Sequence, residues 1–227
     1  MGEKLPIDVI AAYLRLGKKF EITQLRQEAL DILSFEFPSC LQAFDTRPEF
    51  SFTRIDTRDL MTLVPIINLA RETGTHAILP VAYYLYCRYH GVRPILHSMR
   101  GKTSNDSAYF RLSDEDQRAI LFGWHTLIER ESDYTFCWMM DLSSSESCET
   151  PHNSSCNDSI YAAYYYEFAG DTLSVRALRK WESVWGERLC NGCATFYEAV
   201  HNEGRNKIWD ELPSIFGFPG WDELLKQ

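Results

Sequence analysis

Ile22, Leu25, Ala29, Ile32 and Leu33 recur every three or four residues with charged residues between them. That spacing puts one face of an α-helix into a core. It returns along most of the chain, and no stretch sustains the period-two alternation of a half-buried strand. A sequence so patterned folds as an all-α domain, an irregular helical bundle with long polar loops.

Proline and glycine mark where the helices begin and end. Ile7, Ile10 and Leu14 form a first helical stripe, and Gly17 follows where a left-handed C-terminal cap would stand. The second helix runs to about Phe37, ahead of Pro38, and makes a hairpin with the first. Residues 39–62 mix Pro, Asp, Thr and Arg without a period and read mainly as a connection. Pro65 and Pro80 each open a helix, because a first-turn proline lacks only a donor that would be unpaired anyway, and Gly74 and Gly91 close them.

The polar run from His97 to Arg111 precedes "LSDEDQRAILFGWHTLIERE", with Ser113 as N-cap and Asp114 to Asp116 suiting the helix dipole. Its apolar face is Ile120, Trp124, Leu127 and Ile128. A serine-rich loop, Leu142 to Ser159, leads to helices over "IYAAYYYEF" and "VRALRKWESVW" and a last one from about Ala194. Trp124, Trp138, Trp181, Trp185, Trp209 and Trp221, with Tyr164 to Tyr166, are expected as core and helix-docking residues rather than a ligand cage.

A net charge of -9 argues against nucleic-acid or anionic-membrane partners, which need a basic face. The longest apolar runs, from Leu60 and Ile78, fall short of the roughly 20 residues that span a bilayer. "MGEKLP" has neither the organisation of a secretory signal nor, with Pro6, a myristoylation pattern, so a cytoplasmic or nuclear protein is expected. Seven cysteines then read as reduced thiols, and the triplets at Asn105, Asn153 and Asn157 as plain polar loops.

The sharpest chemical signal is "RLCNGCATF". Cys190 and Cys193 are spaced so that both sulfurs reach one ion, half of a tetrahedral zinc site. Cys148 and Cys156 in the serine-rich loop are the nearest candidates for the other half, with His152 between them as an alternative ligand. Unpaired structural cysteines and a redox pair are the competing readings, although a redox motif expects a βαβ setting. A closed four-ligand site would staple the loop to the last helices and would not catalyse, since catalysis needs an open coordination position. Elsewhere Cys87 and His90 are three residues apart on a helix, ordinary adjacency rather than a catalytic pair, and no phosphate loop, nucleophile elbow or HExxH pattern occurs. An enzyme is not expected.

"YLRLGKKFEITQLRQEALDILSFEFPSCLQAFD", from Tyr13 to Asp45, resembles the last helices of a BTB/POZ domain and the segment after it in a group of basidiomycete fungal proteins. "INLARETGTHAILPVAYY", "LSDEDQRAILFG" and "WDELPSIFGFPGWDEL" are similar to the rest of that group's C-terminal region. The resemblance implies a BTB remnant over residues 1–45 and a helical C-terminal domain over 46–227, with paired cysteines in about the places noted. It also implies a non-catalytic protein-interaction role, adaptor-like, with a cullin-type ubiquitin ligase or a BTB homodimer as partner. The strands and helices forming most of a BTB domain would lie before Leu5, which leaves Ile10, Leu14 and Leu25 to be covered by a partner or by downstream helices. An orphan zinc-stabilised helical domain without adaptor activity is the alternative, and a Cys/His-dependent enzyme the reading from another class.

Overall fold

The computed structural model describes residues 4–49, 51–56, 63–99, 111–140, 148–149, 155–169 and 174–226. The fold is all-α. The only strands among the described residues are β1 (Leu5–Pro6) and β2 (Ile55–Asp56), which pair in parallel. Chain contacts divide the molecule into two compact units, residues 1–123 with 212–227 and residues 124–211.

The first unit opens with α1 (Ile7–Lys19) and α2 (Thr23–Glu36), joined by a turn in which Glu21 takes φ 56°. Gly17 does not cap α1 as the sequence suggests, because the helix continues to Lys19 with Gly17 buried inside it. There the two helices cross so closely that a Cβ on Gly17 would lie 2.8 Å from the backbone nitrogen of Arg26. The glycine serves packing rather than termination. Ile10 and Leu14 are buried under α2 and α4 (Leu63–Thr73), so the downstream helices cover them. Arg15 clamps Glu72 of α4 through two hydrogen bonds of 2.7 and 2.6 Å.

The connection after α2 holds more than a coil. It contains α3 (Leu41–Asp45) and β2. Glu36, fully buried, accepts the amide of Thr53 at 2.7 Å and that of Arg54, which fixes β2 against α2. Beyond α4, Gly74 at φ 77° turns the chain into α5 (Leu79–His90), which carries Pro80 in its first turn and stops at Gly91 (φ 59°). A further helix, α6 (Arg93–Met99), follows where a polar run was expected to begin. Residues 100–110, including Asn105, lie outside the described part.

In α7 (Asp114–Arg130) Ser113 accepts the Asp116 amide at 3.1 Å, the expected cap. Asp116 goes further than dipole compensation. Its buried carboxylate receives Arg71 Nε of α4 at 2.8 Å, the Tyr83 hydroxyl of α5 and the Ser113 hydroxyl at 2.7 Å. Burial and this carboxylate push the Tyr83 phenol well up. Near the C-terminus, Phe216 and Phe218 pack on Tyr83 at 5.3 and 5.6 Å, and Phe216 occupies the space that a Cβ on Gly123 would need.

The second unit begins as α7 gives way to one turn of π-helix, Glu131–Thr135, then α8 (Cys137–Met140), α9 (Ser155–Phe168), α10 (Ser183–Gly186) and α11 (Asn191–Ile215). Ser155 to Ser159, with Asn157, belong to α9 rather than to the preceding loop. The helix expected over "VRALRKWESVW" is absent except for α10, and the cause is tertiary. Buried residues 175–178 spend their backbone groups on neighbours. Glu131 accepts the Arg176 amide at 2.6 Å, Thr135 donates to the Ala177 carbonyl at 2.6 Å, and Arg205 donates to that of Leu178 at 3.2 Å. The extra residue of the π turn aims Glu131 and Thr135 at this segment. Its Tyr134 carbonyl sits 2.3 Å from where a Cβ on Gly204 of α11 would be, which requires glycine there. The short α12 (Trp221–Leu224) ends the first unit. No helix among the described residues is long and apolar enough to cross a membrane.

Candidate metal centre

Cys190 is the residue before α11, and its carbonyl accepts the Ala194 amide at 2.9 Å, the first bond of the helix. Cys193 follows in the first turn, fully buried. The helix start thus turns both thiols of the "CNGC" stretch inward. Cys156 occupies the second position of α9, also buried, and Cys148 stands half-buried upstream. All four Sγ atoms lie within 4.8 Å of one another.

Around a tetrahedral ion with Zn–S bonds of about 2.3 Å, sulfurs stand about 3.8 Å apart, so the four can close on one ion with shifts of about an ångström. Soft thiolates in this number suit zinc and leave no position for water. Backbone amides point at the sulfurs: Glu149 N–H donates to Cys190 Sγ at 3.4 Å, and Cys190 N–H to Cys156 Sγ at 3.5 Å. Such donors disperse thiolate charge and orient metal ligands. The amide of Cys193, then that of Glu149, lower the Cys190 thiol to about 7, whereas burial pushes the Cys193 thiol up. A bound dication would deprotonate all four.

All seven cysteines are free thiols. Cys40, Cys87 and Cys137 are not in the cluster. Cys87 is buried against the Ile120 carbonyl at 3.8 Å, with burial raising its thiol, an environment opposite to that of an activated nucleophile. His152 lies outside the described residues.

Aromatic residues wall the cluster: Phe136, Trp138, Trp185 and Tyr197 share its core, with Trp181 and Phe168 packed against it. At the back sits His201, which the sequence reading did not single out. Trp138 Nε1–H donates to His201 Nδ1 at 3.2 Å, so the ring proton resides on Nε2 and is given to the Arg179 carbonyl at 2.8 Å. Burial, aided by Arg205 and Arg179, lowers His201 to about 4. The signal was present in the run Cys193, Tyr197, His201, Arg205 and Ile208, spaced by four, four, four and three residues and all buried along one face of α11.

Trp138, Trp185 and Trp209 are buried, as expected. The tyrosine run is not: Tyr165 and Tyr166 are 74% and 73% exposed, and the core role given to it is corrected. The buried stripe of α9 is Cys156, Ile160, Ala163 and Glu167, the last held by Arg176 at 3.1 Å and Arg179 at 2.6 Å. This phase sends the tyrosines outward.

No family model, curated protein or solved structure matches the chain. The likeness to BTB-type proteins rests on the sequence motifs alone.

Proposed function

We propose that the chain is a non-catalytic protein-interaction segment whose second unit is stapled by one structural zinc ion held by Cys148, Cys156, Cys190 and Cys193. The observation that carries the zinc is the convergence of four thiols from the start of α9, the start of α11 and the segment before α9 onto one point. Unpaired structural cysteines have no reason to meet in this way, and a redox pair would need only two. That the ion is structural rather than catalytic follows from the donor set, because four thiolates fill zinc's coordination sphere and leave it no site for substrate. What supports an adaptor role in a BTB-type protein is the motif likeness over residues 13–45, a stretch that folds as the latter part of a helical hairpin and a short helix.

Metal analysis of the purified chain tests the proposal. One zinc per chain is expected, lost in Cys190→Ala and in Cys193→Ala. At free zinc a hundredfold above its Kd the ion contributes about 3 kcal/mol of stability, which chelation would remove. A chain without metal whose unfolding midpoint ignores chelators would sink the reading.

A further inference from the structure

The face of α9 turned away from the core is aromatic where a solvated helix would be charged. At about 100° per residue, Tyr164, Tyr161 and Tyr165 form one continuous band, with half-buried Phe168 beside it and exposed Asp158 at its N-terminal end. These tyrosines are 38%, 56% and 74% exposed. Of these three, only Tyr164 has a ring neighbour among the described residues, Phe168 at 5.1 Å. Tyrosines set in this density on a rigid helix are the residues that anchor protein interfaces, since each orders a large surface at the cost of few rotors.

Charge identifies what the band would receive. The second unit holds fifteen Asp and Glu against seven Lys and Arg, while the rest of the chain is nearly balanced at seventeen against sixteen. Four of those seven cations are engaged with carboxylates of the unit itself: Arg130 with Glu211, Arg176 and Arg179 with Glu167, and Lys207 with Glu203. Zinc with four thiolates would add two further negative charges. The carbonyl end of α9, close to Tyr165, contributes in the same direction.

We propose that the Tyr161, Tyr164 and Tyr165 face of α9 docks an arginine-rich segment of a partner protein, guanidinium planes stacking on the phenol rings inside the acidic field of the unit. This deepens the interaction role proposed above and rests on it, because Cys156 anchors the same helix.

The experiment uses the full zinc-loaded chain and two fluorescein-labelled peptides of equal charge, one with arginine and one with lysine at every third and fourth position. Anisotropy at physiological salt is expected to show the arginine peptide bound. Tyr161→Ser with Tyr165→Ser should weaken it by about tenfold, and Tyr166→Ser, on the other flank, should leave it unchanged. Absence of binding, equal affinity for the two peptides, or indifference to the tyrosine substitutions would each overturn the proposal, the last two leaving net charge as the whole attraction. So would a concentration-dependent dimer that Tyr165→Ser dissociates, since the occupant would then be a second copy of this chain. Zinc is assayed in the same samples. A chain with one zinc that ignores the peptide fails here alone, and a metal-free chain that binds it through the tyrosines fails only the zinc reading.

Discussion

His201 is kept neutral by what surrounds it: Trp138 donates to one ring nitrogen, the Arg179 carbonyl takes the proton of the other, and Arg205 and Arg179 oppose a second proton. Its folded value of about 4 lies below the ordinary 6.5. Between these values the unfolded chain binds a proton that the folded chain refuses, so stability rises with pH up to about 6.5 and is flat above. On acidification up to about 3 kcal/mol is lost towards pH 4. Urea midpoints of the wild type and His201→Gln, compared at neutral pH and near pH 4.5, check this: the variant should lose less on acidification, and parallel losses would refute it. Gly204→Ala presses a Cβ into the Tyr134 carbonyl. It should cost about 2 kcal/mol or more, read as a fall in thermal midpoint, unless the π turn relaxes. At this scale the meeting of Cys190 and Cys193 was legible, because two intervening residues bring both sulfurs within reach of one point. The partnership of Trp138 with His201 was not, since it joins residues 63 apart through a fold that no local pattern encodes.

Helices such as α4, α5 and α7 were legible because Pro65, Pro80, Ser113, Gly74 and Gly91 act on backbone donors and dihedrals within a few residues. Where the sequence misled, a distant neighbour had decided. Gly17 looks like a cap and is instead the crossing point with Arg26, and residues 175–178 look helical but give their backbone groups to Glu131, Thr135 and Arg205. The acidic turn of α7 shows the same limit, since capping was readable from Ser113 and the ties from Asp116 to Arg71 and Tyr83 were not. Asp116→Asn should therefore do more than weaken a cap. It leaves Arg71 facing a neutral amide, with the Tyr83 hydroxyl at 3.1 Å and Glu115 at 3.4 Å as remaining partners, and should lower stability by about 2–4 kcal/mol in denaturant titration. A loss below about 1 kcal/mol would reduce it to a cap.

Across the whole molecule, the two units draw on different sources of stability. The first is held by buried aliphatic side chains that include Ile10, Leu33, Ile66, Ile67 and Val81, the second by an aromatic cluster that four thiols adjoin. Chelation should accordingly raise hydrogen exchange in α8, α9 and the start of α11 while α1, α2, α4 and α5 keep their protection. Uniform loss of protection would show that the two parts unfold together. The cysteine geometry also carries a consequence in time. Cys190 and Cys193 are brought together by one turn of chain, whereas Cys156 is 34 residues away from Cys190, and closing a loop of that length costs roughly 4 kcal/mol of chain entropy. An ion captured first by the local pair would hold one end of that loop ready, so the order of loading, near pair before far pair, would set the folding pathway. The rate at which the second unit assembles would then depend on how much free metal the newly made chain meets.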